Sequence, residues 1–170
     1  MIQDTNGTNI EVRSGKREDA LAAARLWMES AKEHAAYDTI YRPSPEAEKM
    51  MCTFLSDLSS SSHAFLFVAS ITSESKDEIV GFVSGELREG SPTFRPKSWA
   101  SVDDVYVTPK YRSLGIGLNL INKVREWAKQ RGVSGVSLQV AAANERARSF
   151  YQRLEFREVS VYEVLELSPE

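Results

Sequence analysis

Apolar residues recur along this chain at spacings that predict alternating helices and strands. Between residues 19 and 34 they fall at every third or fourth position, which is typical of an amphipathic helix. Ser44 followed by Pro45 is an N-cap with proline at the first helical position. A second helix is therefore expected to begin there and to run to about residue 58.

The order of the predicted elements indicates an α/β protein with a mixed sheet covered by helices. Strands are predicted at 10–13, 63–71, 78–87, 99–107, 136–140 and 159–167, and the later helices at 114–131 and 144–154. The strands at 63–71 and 78–87 are expected to form an antiparallel hairpin, and Gly132 is expected to end the third helix. Successive strands followed by a strand-helix-strand unit favour a sheet of mixed direction.

Length and composition limit the class of protein. A chain of 170 residues fits one domain, expected over residues 9–170, and the polar residues 1–8 are expected to be flexible. No apolar run approaches the roughly 20 residues of a membrane span, and residues 1–8 lack the order of a signal peptide. Cys52 has no second cysteine to pair with, and two histidines do not complete a zinc site with it. We therefore expect a cytoplasmic protein without a metal.

The charge is distributed unevenly. Residues 110–131 carry six basic side chains and one acidic one, a balance of +5, so a net charge of −3 leaves −8 on the rest of the chain. The basic segment is short and has no aromatic interleaving, which argues against a nucleic-acid partner. It suits a compact anion, and a solvated helix face is the alternative.

The strongest chemical signal is the segment 105–118. A strand with the sequence Val-Tyr-Val at 105–107 leads into a glycine-bearing turn, and a helix begins at that turn. Gly115 and Gly117 leave room for a ligand close to the backbone, and the N–H groups of the first helical turn can bind an anion such as a pyrophosphate. The third glycine of the dinucleotide fingerprint and the Gly-Lys-Ser/Thr of the P-loop are both missing.

This segment resembles the acyl-CoA-binding motif of the GNAT N-acetyltransferase superfamily. The match is Arg-x-x-Gly-x-Gly at 112–117, preceded by Val-Tyr-Val-x-Pro at 105–109. A second match lies at 144–156, with asparagine first and Phe-Tyr at 150–151. Two positions depart from the family pattern, since Ser113 and Glu155 stand where glycine is common. If Glu155 ends its helix in the left-handed conformation, it carries about 1 kcal/mol of strain.

The resemblance implies a central, mostly antiparallel sheet that splays open at the cofactor site. It also implies an acetyl-CoA-dependent N-acyltransferase that acts on a primary amine of a small molecule or peptide. The cofactor-binding residues would be Val105, Tyr106, Val107, Arg112, Ser113, Leu114, Gly115, Ile116, Gly117, Leu118 and Asn144. The strand residues would pair with the pantetheine arm, the loop amides would hold the pyrophosphate, and the Arg112 side chain would add a charged donor. A helix N-cap is the alternative role for Asn144.

The resemblance assigns Tyr151 as the acid that protonates the leaving thiolate, with aromatic packing beside Phe150 as the alternative. The reaction also needs a base, because an amine with a pKa near ~10.4 is almost wholly protonated at neutral pH. Asp103 and Asp104 are adjacent on a predicted strand, so one should face the cleft and the other away. Asp103 shares parity with Val105 and is the candidate base, and a salt-bridged strand end is the alternative.

The remaining candidates concern the amine acceptor. Glu86 is the reserve base, and Glu86 and Asp104 are candidates for substrate binding. The resemblance implies an acceptor pocket in or just after the first helix, and packing is the alternative for each residue there. The candidates in that pocket are Glu33, His34, Tyr37 and Tyr41. The sequence leaves open the acceptor, the size of the acyl group and the oligomeric state, including a homodimer. A non-catalytic acyl-CoA sensor and a structural dimerisation module are the competing functions.

Overall fold

In the described part of the chain, six strands form one sheet, in the order in which they occur along the sequence. The computed structural model describes residues 2–3, 9–73, 76–93 and 97–167. The strands are β1 (Ile2–Gln3), β2 (Asn9–Ser14), β3 (Ala64–Ser73), β4 (Lys76–Glu89), β5 (Ser98–Val107) and β6 (Gly135–Leu138). The helices are α1 (Ala20–His34), α2 (Ala47–Leu58), α3 (Ile116–Gln130) and α4 (Glu145–Arg153).

Strand directions confirm the predicted mixed sheet. Every neighbouring pair is antiparallel except β5 and β6, which run parallel. The predicted hairpin is β3 paired with β4. A mostly antiparallel sheet flanked by helices is therefore the observed fold.

Helices cover both faces of the sheet. On one face, the buried Ala20, Ala23 and Ala24 let α1 approach the strands closely, and α2 packs beside it. On the other face, α3 inserts Leu120 and Val124 into a second core. The 3.6-residue period of each helix sets which side chains face the sheet.

Two glycines bound α3, and the sequence predicts the second of them, Gly132. Gly115 at the N-cap has φ 81°, and Gly132 just beyond the helix has φ 65°. Both angles lie in the left-handed region, where a residue with a side chain is strained. The predicted stop at Gly132 is confirmed.

The chain divides into two compact units, residues 1–139 and 140–170. The first unit contains all six strands and helices α1 to α3, and the second contains α4. The expectation of one domain over residues 9–170 stays a prediction.

The predicted strand at 159–167 is wrong. None of the described residues of the second unit forms a strand, and Val161, Leu165 and Leu167 are 85%, 86% and 84% exposed. An extended segment becomes a strand only when its backbone groups pair with a neighbouring strand. Alternation of apolar residues indicates the tendency but supplies no partner.

Two further expectations concern residues 1–8 and the absence of a membrane-spanning segment. The flexibility expected for residues 1–8 falls mostly outside the described residues, and the two that are described, Ile2–Gln3, form β1. Among the described residues, no helix is both long and apolar enough to cross a membrane.

Candidate active site

A β-bulge in β5 determines where the two adjacent aspartates lie. Ser84 of β4 pairs with Asp104, and the next residue, Gly85, pairs with Val102. Asp103 is therefore the extra residue of the bulge. An extra residue shifts the alternation of side chains along the rest of the strand.

Both aspartates lie on the sheet face that α1 and α2 cover. Asp104 accepts a hydrogen bond from Trp27 Nε1 of α1 at 2.8 Å. Asp103 pairs with Arg88 Nη2 at 2.8 Å. Arg88 points away from the α3 core because its neighbour Leu87 packs into that core. The prediction that the aspartates point to opposite faces is wrong, because the bulge interrupts the alternation on which it rests.

The bulge also changes the surroundings of the strand residues that follow it. Val105 and Val107 pack against the core beneath α3, and Tyr106 faces the core beneath α1. The sequence predicts that Asp103 shares a face with Val105, and this prediction is wrong because Asp103 is the extra residue of the bulge. Side chains alternate regularly between the two faces of a sheet only where no bulge interrupts the strand pairing.

The bulge is sterically possible because residue 85 is a glycine. A Cβ at this position would overlap the carbonyl oxygen of Ser101 and lie 2.5 Å from the Phe65 ring. The backbone of β4 therefore approaches β5 more closely than any side chain would allow.

The surroundings of Asp103 set the pKa of its carboxyl. Its side chain is 20% exposed. Burial raises the pKa of its carboxyl to about 6, and the neighbouring carboxylates of Asp104 and Glu86 act in the same direction. The Arg88 guanidinium opposes the rise in this pKa. At neutral pH Asp103 is mostly ionised yet basic enough to accept a proton.

Asp104 and Glu86 complete the carboxylate group on this face. Burial raises the pKa of Asp104, while hydrogen bonds from Trp27 and Ser84 oppose that rise. Asp104 is thereby fixed in position, with Ser84 Oγ 3.5 Å from its second oxygen. Glu86 shares Arg88 with Asp103, at 3.3 Å from the guanidinium Nε. The structure thus brings Glu86, Asp103 and Asp104 together.

The loop between β5 and α3 alternates unusual backbone conformations. Ser113 has φ 67° and Gly115 has φ 81°. A Cβ on Gly115 would meet nothing nearer than the Asn119 amide nitrogen at 4.0 Å, so the surroundings are open. Left-handed residues interspersed with ordinary ones turn successive N–H groups to the same side, which is a common cradle for anions.

The first helical turn adds to this cradle. The leading N–H groups of α3, including those of Ile116, Gly117 and Leu118, have no carbonyl four residues back within the helix. The amide of Arg112 is less available, since it donates to the Pro109 carbonyl at 3.2 Å. The backbone from 113 to 118 therefore fits a pyrophosphate better than Arg112 itself does.

One edge of β5 is open beside this loop. Strand β6 pairs with β5 only from Trp99 to Val102. Among the described residues, no strand pairs with the β6-facing edge of residues 103–107. The sheet opens here as the resemblance implies, and the backbone of Val105–Val107 can accept an added extended chain.

The Arg112 side chain does not extend alone into the cradle. Its Nη2 lies 2.7 Å from Glu33 Oε1, and its Nε donates to the Val107 carbonyl at 2.8 Å. The guanidinium also stacks on the Tyr106 ring, 5.1 Å from the ring centre. Arg112 joins the loop to α1, and the sequence held no local signal for Glu33 as its partner.

Other basic side chains of the segment 110–131 bind elsewhere in the same unit. Lys123 pairs with Glu126 at 3.0 Å, and Arg131 stacks on the Trp127 ring at 3.9 Å. The excess positive charge follows α3 and is not concentrated at the loop.

Tyr37 and Tyr41 pack around His34 at the end of α1. The His34 ring meets them edge-on, with centroids 5.5 Å and 5.8 Å away. His34 is also near enough to Asp104 to oppose the rise in the pKa of Asp104. Tyr41 is 37% exposed, which leaves part of its ring accessible.

Asn144 and Tyr151 belong to the second unit. Asn144 is the N-cap of α4, and its side chain accepts from the Ala147 amide at 3.0 Å. Tyr151 packs against Phe150 and Phe156, with ring centroids 5.3 Å and 5.5 Å away. Burial raises the pKa of its phenol to about 12. Both alternatives are thus observed: Asn144 is a helix N-cap, and Tyr151 packs against aromatic rings. The cofactor role of Asn144 and the catalytic role of Tyr151 stay predictions.

Comparison with known proteins identifies the family. The model of the Acetyltransferase (GNAT) family matches residues 24–156, most of the chain. The chain belongs to this GNAT family.

Relatives named N-acetyltransferases match parts of the chain, and a solved structure shares its fold. Over 82 residues the chain is 40% identical to an uncharacterised N-acetyltransferase of Methanocaldococcus jannaschii, covering 48% of this chain and 36% of that protein. Over 53 residues it is 43% identical to thialysine N-epsilon-acetyltransferase of Bos taurus, covering 31% of each chain. This chain therefore spans about a third of the length of each of these two relatives. The structure of AAC(6')-Iy in complex with the bisubstrate analogue CoA-S-monomethyl-acetylneamine has a TM-score of 0.72. That match has 15% identity and covers 95% of this chain and 100% of the other, so it shows the fold.

The sequence did not reveal the contacts that hold three of the candidates in place. Trp27, Glu33 and Arg88 fix Asp104, Arg112 and Asp103. Arg88 follows Glu86 at a spacing of two on one strand, which places both on the same face and could have indicated their pairing. Trp27 and Glu33 lie far from their partners in sequence and carry no such signal.

Proposed function

We propose that this GNAT protein transfers the acetyl group of acetyl-CoA directly to a primary amine of a small molecule or peptide. The observation that carries the proposal is the anion cradle at 113–118 beside the open edge of β5. The names of relatives support an amine acceptor, since one is a thialysine N-epsilon-acetyltransferase and AAC(6')-Iy was solved with a bisubstrate analogue containing CoA.

The backbone provides most of the cofactor contacts in this proposal. The amides of Ser113, Leu114, Gly115, Ile116, Gly117 and Leu118 hold the pyrophosphate, and the dipole of α3 stabilises its charge. The edge of Val105, Tyr106 and Val107 pairs with the pantetheine arm as an added strand. The side-chain oxygen of Asn144 caps the helix, so the side-chain nitrogen is the atom that would bind the cofactor.

Two side chains move protons. Acetyl-CoA supplies the acetyl group as a thioester. The amine nitrogen attacks the thioester carbonyl, Asp103 accepts the proton that the nitrogen loses, and Tyr151 donates a proton to the sulfur as the carbon–sulfur bond breaks. A pKa of about 6 leaves Asp103 ionised at neutral pH, and a pKa of about 12 keeps Tyr151 protonated.

The carboxylates and tyrosines suit a cationic acceptor. Glu86 and Asp104 flank Asp103 on the same face and favour a protonated amine as it approaches. Tyr37 and Tyr41 present rings that can contact the acceptor's carbon skeleton. We propose these four residues as the acceptor-binding group. Among the described residues, no cluster of His, Cys, Asp and Glu is arranged to hold a metal ion.

Cofactor binding is tested at Gly117, in the first turn of α3. Gly117→Val places a β-branched side chain in the cradle and should weaken CoA binding by at least about tenfold in calorimetry. Lys123→Val is the matched control, because it introduces the same side chain at an exposed position of the same helix. Equal affinity in folded Gly117→Val would place the CoA site elsewhere.

Turnover separates an enzyme from a non-catalytic acyl-CoA sensor. The wild-type protein is mixed with acetyl-CoA and a panel of amines that includes lysine analogues, diamines and aminoglycosides, and the loss of thioester is followed. An enzyme acetylates at least one amine with release of CoA. CoA binding without acetylation of any amine in the panel would favour the sensor.

A further inference from the structure

The ion pair between Arg112 and Glu33 joins the cofactor loop to helix α1 within the first unit. Arg112 begins the cofactor loop, and Glu33 lies near the end of α1, 79 positions earlier in the chain. Their side chains are 23% and 35% exposed, so the pair is shielded but not fully buried.

Tyr106 makes this pair part of a larger network. Its ring is buried beneath the guanidinium, and its hydroxyl donates to the same Glu33 oxygen at 2.8 Å. One carboxylate oxygen therefore accepts from both Arg112 and Tyr106. Shared acceptors and a stacked cation restrict the guanidinium to one place.

The loop that Arg112 begins needs such an anchor. Arg112 closes the short helical turn Pro109–Tyr111, and the left-handed Ser113 follows it directly. At the other end, the Gly115 carbonyl accepts from the backbone and side-chain nitrogens of Asn119, both at 3.1 Å. A strained loop keeps its conformation only where its surroundings determine it.

We propose that Arg112 is a positioning residue: its ion pair with Glu33, seated on Tyr106, holds the loop 113–118 in the conformation that binds the pyrophosphate. This inference rests on the proposed function, because it concerns how the same CoA site is formed. It replaces the sequence-based expectation that the guanidinium is itself a phosphate ligand.

The two roles predict opposite effects of Glu33→Gln on CoA affinity. If Arg112 were a phosphate ligand restrained by Glu33, the variant would free its charge for the anion and tighten binding. If Arg112 positions the loop, the variant loosens the loop and weakens CoA binding by about threefold to fivefold. Affinity for pantetheine, which lacks the pyrophosphate, should fall less than affinity for CoA.

Glu29→Gln is the matched control. Glu29 lies one turn earlier on α1 and approaches the same Tyr106 hydroxyl at 3.4 Å. Its contacts in the described part of the chain do not include Arg112. We expect Glu29→Gln to bind CoA as the wild type does.

The decisive experiment combines calorimetry with hydrogen exchange of the ligand-free proteins. Glu33→Gln should show weaker CoA binding and faster amide exchange at 113–118, and Glu29→Gln should show neither. Arg112→Lys, which keeps the charge but loses the planar fork, should resemble Glu33→Gln. Tighter CoA binding in Glu33→Gln, or unchanged exchange in the loop, would overturn the inference. A wild type that does not bind CoA would instead refute the proposed function, and the exchange measurement would still test the anchor.

Discussion

The pH dependence of the reaction should reveal the carboxylate that accepts the amine proton. Asp103 accepts a proton only when it is ionised, so kcat/KM should fall as the pH drops through its pKa of about 6. Arg88 stabilises the ionised form across a 2.8 Å contact. Arg88→Gln removes that positive charge and should therefore raise the pKa of Asp103 and move the acid limb to higher pH.

The size of the shift follows from the geometry of the pair. Two unit charges about 4 Å apart interact by about 1 kcal/mol in water and about 4 kcal/mol in the dielectric near a protein surface. The Arg88 side chain is 55% exposed, so solvent screening favours the lower end, near about 1.4 kcal/mol. That energy corresponds to about one pKa unit, which moves the limb from about 6 to about 7.

Rates across the pH range provide the assay. At pH ~6 about half of wild-type Asp103 is ionised, against about a tenth in Arg88→Gln, so the variant should be about fivefold slower there. Above pH ~8 the two proteins should converge. The amine titrates equally in both reactions, so the ratio of variant to wild type at each pH isolates the enzyme. Thioester absorbance is the readout, because it does not depend on thiol ionisation.

Two further variants complete this test. Arg88→Lys keeps the charge and should leave the limb near about 6. Asp103→Asn preserves size and removes basicity, so the limb should vanish and the loss of rate should be greatest at neutral pH. A limb that stays in place in Arg88→Gln, or one that persists in Asp103→Asn, would refute the assignment and direct attention to Asp104 or Glu86.

Two other outcomes test the second unit. Tyr151→Phe keeps the contacts with Phe150 and Phe156 and should lower kcat about 10²-fold with CoA affinity unchanged. Tyr162→Phe, at an exposed position, is the control. A kcat of Tyr151→Phe equal to that of the wild type would mean that Tyr151 serves only in packing. Glu155 has φ 64° at the end of α4, so Glu155→Gly should relieve strain and raise the free energy of unfolding, measured in urea, by about 0.5–1 kcal/mol. Glu155→Ala should give no such gain. An equal gain in both variants would mean that loss of the charge is the cause.

Local patterns predicted much of the molecule. Helices α1, α3 and α4, the stop at Gly132, the cap at Asn144 and the left-handed Glu155 depend on residues within a few positions of one another. Short-range sterics and hydrogen bonds decide such features, so the sequence alone determines them. The glycine loop at 112–117 belongs to the same class, and it carries the family's motif in consecutive residues.

Tertiary structure decided the features that depend on distant partners. The bulge at Asp103 exists because β4 can approach β5 at Gly85, and it alone puts Asp103 and Asp104 on one face. The segment 159–167 has the alternation of a strand but no neighbouring strand, and the partner of Arg112 lies 79 positions away. Pairing, register and ion pairs of this kind form only when folding brings remote segments together, because neither partner alone specifies the contact.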